Sequence, residues 1–375
     1  IRKKMKFIIK KDDIIDVLSN VQGLTGRKSN LAITANILIK TSDSGITLIA
    51  TDLETGFEGS YPATIESEGS VAINARKFYE IVRDFPTDEI LVTEIENRWI
   101  EIGNKNIEYH LVGMNSEDFP EIPKIEECVF FDIDSEAFKK MIEKTLVIGV
   151  SEDKRSHILG VYFERINTET EKIVRMVSTD GSRLSKVDYV YDKDFYLPAG
   201  PGIIIPKKGL NEVGKFLDVA GTVQIGLKDN NFITKKDTET IIIRLLEGDF
   251  PQYKDIINKG DANIIKFDRQ LFLKMIKRMS ILFSENYKGA IFNFLKDKLI
   301  ITSTNPDFGE SKEDIKINYT GEPIEVAFNS RFFIDALNVI EDNTVVVNIF
   351  NEEKPCLLEG EEDKNFLSVI MPMRI

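Results

Sequence analysis

Short apolar runs, polar breaks and amphipathic helical stretches follow one another along this chain, and one version of that order occurs three times. Val129-Phe-Phe-Asp-Ile133 alternates as a short strand, and Ser135 reads as a helix cap with Glu136 just inside. Phe138, Met141, Ile142, Thr145 and Leu146 fall at the spacing of one buried helix face. Lys139, Lys140 and Lys144 fall on the other face. Met5-Lys-Phe-Ile-Ile9 followed by Ile14, Val17, Leu18 and Val21 repeats the pattern, as does Ile264-Ile-Lys-Phe267 followed by Phe272, Met275, Ile276 and Met279. A self-similarity at about 125 to 130 residues predicts three related domains.

Each third divides again into two similar halves. In the first, Val71-Ala-Ile73 predicts a strand, Asn74 a cap, and Phe78, Ile81, Val82 and Phe85 a helix stripe, before strands at 90–95, 99–102 and 107–111. The second carries a strand at 203–205, a helix at 207–217 and strands at 223–227, 232–234 and 241–245. The third has a strand at 324–328, a helix with Phe333, Ala336, Leu337 and Ile340, and strands at 345–349, 356–358 and 367–371. Every half therefore reads strand, helix, strand, strand, strand. Asp118-Phe-Pro120 and Asp249-Phe-Pro251 mark the joints, because a proline ring holds the preceding residue extended. The expected domains are residues 5–126, 127–256 and 257–375 of an α+β fold.

Composition changes this picture little. The 375 residues are 42% hydrophobic, enough for a core in each domain. Cys128 and Cys356 offer neither a disulfide framework nor zinc spacing, and no apolar run approaches a membrane span, so a cytoplasmic protein with two reduced thiols is expected. Ile1 to Lys4 precede a natural-looking start at Met5 and are expected to be foreign to the natural chain.

Charge changes it more. The formal net charge is −13, which argues against nonspecific adhesion to nucleic acid or anionic membrane if spread evenly. The helical stretches nevertheless carry 15 basic residues, among them Lys11, Arg76, Lys77, Lys139, Lys140, Lys144, Lys207, Lys208 and Arg269, against nine acidic ones, a difference of six. Helices gathered on one face would make that face basic and suited to a phosphate backbone. The first helix, with Asp12, Asp13 and Asp16, dissents.

Residues for catalysis or metal binding are not gathered. His110 and His157 are the only histidines, and neither sits in a sequence pattern with cysteine or carboxylate that reads as a metal site. His110 reads as an exposed strand residue. Gly200-Pro-Gly202 lacks the following Lys-Ser/Thr of a phosphate loop. Ser178-Thr-Asp180 recurs as Ala50-Thr-Asp52 and Ser303-Thr-Asn305, so it predicts the end of a strand entering a turn. A hydrolase using Asp52, Asp180 and Asp249 and a plain scaffold without a nucleic-acid role are the rival readings. No catalytic residue, metal or cofactor is expected.

Ser178-Thr-Asp-Gly-Ser-Arg-Leu184, the ending Val369-Ile-Met-Pro-Met-Arg-Ile375, Met5-Lys-Phe7, Ala75-Arg-Lys-Phe78, Pro206-Lys-Lys-Gly209 and Asp249-Phe-Pro251 stand in order on this threefold repeat. Together they resemble the bacterial beta sliding clamps, the processivity subunits of DNA polymerase III, over Met5 to Ile375. The resemblance implies a head-to-tail homodimer of three-domain subunits closed into a ring around double-stranded DNA, helices lining the inside and sheets forming the outside. It implies a non-catalytic function: the ring slides and tethers the replicative polymerase, while clamp loader, other polymerases and repair proteins dock through short linear motifs.

The family's peptide pocket, between the second and third domains, maps to Ile158, Thr179, Gly181, Ser182, Arg183, Leu184, Pro251, Ile256, Val369, Met371, Pro372, Met373 and Arg374. Methionine, proline and aliphatic side chains suit an adaptable apolar groove, with Arg183 as a polar rim. Ser182 stands where relatives often carry His or Tyr, and Asp255 where a basic residue occurs. The DNA-facing positions map to Arg27, Arg76, Arg155, Lys207 and Lys208, with His157 at a position aromatic in some relatives. The subunit joint maps to Tyr109 and Leu111 meeting Ile281 and Leu282.

Overall fold

The computed structural model describes residues 4–25, 32–123, 125, 127–149, 155–167, 171–191, 202–217, 220–284 and 288–374. The chain forms two compact units. One comprises Ile1–Lys139, Asp194–Ala199 and Lys208–Leu245, and the other Lys140–Lys193, Gly200–Lys207 and Leu246–Ile375.

The first unit holds an eight-stranded antiparallel sheet in the order Phe130–Asp134, Thr222–Lys228, Asn231–Lys236, Glu239–Arg244, Thr55–Tyr61, Gly45–Thr51, Asn36–Ser42, Ser70–Asn74. A five-stranded sheet runs Thr64–Ser67, Lys6–Lys10, Glu89–Glu94, Trp99–Gly103, Glu108–Val112. Glu239–Arg244 pairs antiparallel with Thr55–Tyr61, so strands of the first and second repeats share one ladder. Phe57 in that ladder is fully buried and stacks on Phe216, ring centroids 4.9 Å apart.

The second unit follows the same plan. Its eight-stranded sheet runs Ile203–Pro206, Gly160–Asn167, Lys172–Thr179, Arg183–Tyr191, Phe366–Ile370, Cys356–Gly360, Thr344–Ile349, Asn263–Asp268. Here Arg183–Tyr191 pairs antiparallel with Phe366–Ile370, joining the second and third repeats. A four-stranded sheet runs Gly309–Lys316, Lys298–Asn305, Gly289–Leu295, Ile324–Asn329. Its core is aromatic: Phe272 stacks on Phe267 at 4.3 Å and meets Phe333 edge-on at 6.2 Å.

Among the described residues, six helices of at least ten residues correspond to the six amphipathic stretches: α1 Lys11–Asn20, α2 Ala75–Asp84, α3 Ser135–Leu146, α4 Lys207–Phe216, α5 Arg269–Met279 and α6 Ser330–Val339. Their buried faces are those the periodicity selects, such as Phe78, Ile81 and Val82 on α2 and Phe272, Met275, Ile276 and Met279 on α5. Side-chain caps satisfy orphan amides at several starts. Asn74 Oδ1 accepts from Lys77 N at 2.9 Å and Asp268 Oδ1 from Leu271 N at 2.8 Å. On α3 the cap is Asp134, not Ser135: Asp134 Oδ1 accepts from Ala137 N at 2.8 Å, and Ser135 is already the first helical residue and buried.

Two lysines assigned from sequence to exposed helix faces are buried. Lys144 on α3 reaches Asp363 at 2.9 Å and Glu341 at 3.8 Å. Burial raises the Asp363 carboxyl, but the Lys144 hydrogen bond and the Asn365 amide outweigh it and hold the group below the usual carboxylate range. Lys207, at the start of α4, is fully buried, with Nζ donating to the Gly149 and Thr179 carbonyls at 3.4 and 3.5 Å.

Candidate binding surfaces

The expected peptide residues lie in the second unit around the Arg183–Tyr191 and Phe366–Ile370 ladder. Leu184 pairs with Val369, and both are buried in one apolar cluster with Val177, Tyr253, Leu357 and Leu367. Ile256 packs against that cluster, as do Tyr162, Phe250, Ile257 and Phe350. The aromatic group was missed from sequence. Phe250 follows Asp249 in the joint motif and Tyr253 lies three residues on, but only the fold brings Tyr162 over Phe250, stacked at 4.8 Å.

Thr179, Gly181, Ser182 and Arg183 form one turn. Thr179 Oγ1 donates to the Arg183 carbonyl at 2.7 Å and accepts from Gly181 N at 3.1 Å. Asp180 Oδ1 accepts from Ser182 N and Arg183 N at 3.0 and 3.1 Å, and Gly181 takes φ +89°, where glycine carries no Cβ penalty. Met371 N then donates to the Ser182 carbonyl at 2.9 Å, and Met373 N to the Ala327 carbonyl at 2.8 Å. The chain end is thereby pinned beside the turn with Met371 and Pro372 half-buried and Met373 and Arg374 exposed. Arg183 is anchored: its guanidinium meets Asp180 at 2.9 Å and Asp335 at 2.6 Å and lies over the Phe332 ring at 4.3 Å. Ile158 is buried in the short Ser156–Leu159 helix, which packs on the Gly160–Asn167 and Lys172–Thr179 strands, while Pro251 is exposed.

The same turn exists in the first unit. Thr51 Oγ1 donates to the Thr55 carbonyl at 3.0 Å and accepts from Leu53 N at 3.0 Å. Asp52 Oδ1 accepts from Glu54 N and Thr55 N at 3.1 and 2.7 Å, and Arg244 N donates to the Glu54 carbonyl at 2.9 Å. The ladders have matching register: Thr55 opposite Ile243 and Gly56 opposite Ile242, as Arg183 is opposite Ile370 and Leu184 opposite Val369. Asp52 and Asp180, two of the three aspartates of the hydrolase reading, thus serve their own turns as amide acceptors.

Of the expected DNA-facing residues, Arg76 on α2 is exposed and bonds Glu80 at 3.0 Å, Lys208 is exposed, and Arg155 is exposed. Arg27 lies outside the described residues. Lys207 does not present its ammonium to solvent; burial pulls its pKa down to about 8, with the Asp180 carboxylate acting in the opposite direction. Other helix cations are internally committed: Lys11 Nζ donates to the carbonyls of Arg83 and Phe85, Arg269 to those of Asp342 and Leu337, and Lys139 to that of Leu217. Lys274 and Lys277 on α5 are exposed.

Tyr109 and Leu111 stand on Glu108–Val112, the terminal strand of the five-stranded sheet; Tyr109 is exposed and Leu111 half-buried. Ile281 is 75% exposed in the Ser280–Leu282 turn, which packs on Gly309–Lys316, the terminal strand of the four-stranded sheet. Asn305 Nδ2 donates to the Leu282 carbonyl at 2.7 Å, tying that turn to the strand end. His110 is less isolated than its sequence neighbours imply. It lies opposite Glu101 across the ladder, 3.4 Å away, and the ligand atoms of Glu101, Glu108 and His110 all fall within 4.8 Å of one another. This is a donor set that could hold a divalent ion on an exposed strand face.

Domain models of one family match the chain in series: the DNA polymerase III beta subunit N-terminal domain over residues 5–123, its central domain over 132–252 and its C-terminal domain over 254–374. The chain belongs to this family. A beta sliding clamp of Vibrio cholerae is 29% identical over 377 residues, covering 99% of this chain and 100% of the relative. The solved sliding clamp of Bacillus subtilis matches with a TM-score of 0.90 at 26% identity, each chain covered in full. The clamp from Bartonella birtlesii, solved bound to griselimycin, matches with 0.93 at 26%, again over both whole chains. The family subunit is a non-catalytic component of the polymerase, and the three repeats deduced from periodicity are clamp domains.

Proposed function

We propose that two copies of this sliding clamp join head to tail and close a ring around duplex DNA, with residues 5–126, 127–256 and 257–375 as the repeated domains. One observation carries this. Two copies of a single seam are made within the chain, and the two halves of a third stand as the outer strands of their sheets. Isolated bridges Ala72–Met114, Ile204–Leu246 and Ala327–Met373 mark equivalent positions in the three repeats. Hairpin pairs Thr51–Gly56, Thr179–Leu184 and Thr304–Glu310 mark equivalent positions on the facing strands.

Carrying the register over sets His110 opposite Glu310 of the partner subunit, Tyr109 opposite Ser311 of the partner subunit and Glu108 opposite Lys312 of the partner subunit. Opposite charges then face each other across the ladder at Glu108. Each closure satisfies the open hydrogen-bonding groups of two edge strands. The contact is heterologous and closes only when both copies complete it, which leaves no free end. Exposed Arg76, Arg155 and Lys208 supply the phosphate contacts, together with Arg27; they position DNA without reading bases.

The surface beside Leu184, Val369, Met371 and Met373 takes an extended partner peptide with apolar anchors, such as a segment of the replicative polymerase. The griselimycin-bound relative supports a ligand surface on this fold. The test is loading on nicked circular DNA by a bacterial clamp loader with ATP. The protein is expected to co-elute with circles and to be released when they are linearised; equal retention on linear DNA would contradict a topological grip. A labelled Gln-Leu-x-Leu-Phe peptide should bind with a Kd of about micromolar order and lose binding when the chain is cut after Ile370.

A further inference from the structure

The seam in the first unit is also a cleft. A cavity of about 340 Å3 opens beside it, lined by Leu53, Glu54 and Gly56 on the turn and strand, Ile122 on the joint, and Arg244 opposite. That volume lies at the lower end of the range for ligand pockets. We propose that this cleft is a second docking site, taking a short extended segment of a partner protein with an aliphatic side chain next to a lysine or arginine.

Three features support that occupant. The hydrogen-bond frame repeats the turn of the other seam, so the same backbone platform is offered twice; the proposal extends the peptide reading of that seam. Leu53 occupies the place of Gly181 but keeps φ +78°, a conformation unfavourable for a leucine, and its side chain is half exposed at the cleft. Strain of this kind persists where the surrounding structure fixes it, and it marks sites of use. The wall charge is negative, with Glu54, Glu121 and Asp229 against Arg244, all exposed. Ile122 lies so close to Gly56 that any Cβ there would meet its methyl at 2.7 Å. The joint therefore packs directly on the strand and closes that side of the cleft.

The probe is a fluorescein-labelled Ser-Lys-Leu-Lys-Ser peptide, which lacks the Leu-x-Leu-Phe anchors of the other seam's ligand, titrated by anisotropy into the full chain and into Leu53→Gly, Glu54→Lys and Met373→Asp. Leu53→Gly should weaken binding about 10-fold while raising the thermal midpoint, a pairing that mere damage to the fold does not produce. Glu54→Lys should weaken it comparably, and Met373→Asp, at the other seam, should leave it unchanged. The proposal is overturned if Leu53→Gly and Glu54→Lys bind as the parent does, or if Met373→Asp alone removes binding. The Gln-Leu-x-Leu-Phe peptide in the same series separates the two sites: its insensitivity to Met373→Asp would sink the other seam's reading and leave this one standing.

Discussion

The two internal seams share their turn hydrogen bonds and their ladder register and differ in what they bury. Between Thr55–Tyr61 and Glu239–Arg244, Phe57 faces Ile241 and Gly56 faces Ile242. Between Arg183–Tyr191 and Phe366–Ile370, Ser185 faces Ser368 and Lys186 faces Leu367, with Lys186 Nζ on Asp188 at 2.7 Å and Arg175 on the same carboxylate at 2.6 Å. The first joint is held mainly by apolar area, the second by a satisfied polar network beside an apolar cluster. One backbone frame therefore tolerates two chemistries, because the repeated turn, not the ladder side chains, sets the register.

Truncation should separate the seams most sharply. Phe57→Ala removes a fully buried ring stacked on Phe216 and is expected to cost about 3–5 kcal/mol. Urea unfolding followed by circular dichroism measures it, and a loss below about 1 kcal/mol would show that the first seam is not apolar in its energetics.

Next in size is a pH effect confined to the second unit. Lys207 carries a folded pKa of about 8, below the ordinary 10.5. Below pH 8 both folded and unfolded forms are charged and the burial penalty is present in full. Between about 8 and 10.5 the unfolded form binds more protons, so stability should rise with pH by up to about 3 kcal/mol. Lys207→Met should flatten that rise; an unchanged slope would remove Lys207 as its source.

Smaller still is Ser185→Ala, which leaves the buried Lys144 carbonyl without its 2.6 Å donor and should cost about 1–2 kcal/mol. The smallest is Leu53→Gly, expected to gain about 0.5–1 kcal/mol from relief of the left-handed backbone. A loss instead would mean that Leu53 packs more than it strains.

Much of this was legible in the sequence. The strand, helix, three-strand unit follows from a change in apolar spacing from 2 to 3.6 residues, and each helix buries the stripe so selected. The turn function of Asp52 and Asp180 was readable because the motif recurs. Lys144 and Lys207 were not: the apolar stripe leaves Lys144 on the other face of its helix and Lys207 stands at a helix start, but their partners, Asp363 and the carbonyls of Gly149 and Thr179, come from distant chain. The joints were visible at Asp118-Phe-Pro120 and Asp249-Phe-Pro251, yet nothing local says that Glu239–Arg244, the strand before the second, adds to the first repeat's sheet while Glu108–Val112, the strand before the first, stays at the edge of its own. Strand alternation puts Glu108 on the face of His110, but that Glu101 joins them depends on hairpin register.

The proposed third seam, between copies, is the most direct test. Native mass spectrometry of the full chain, Glu108→Lys, Lys312→Glu and the double variant reads it in one series. The parent is expected to be a dimer, each single reversal to shift it toward monomer, and the double variant to recover the dimer. A dimer unaffected by either reversal, or monomer from both singles without rescue in the double, would contradict the register carried over from the two seams within the chain.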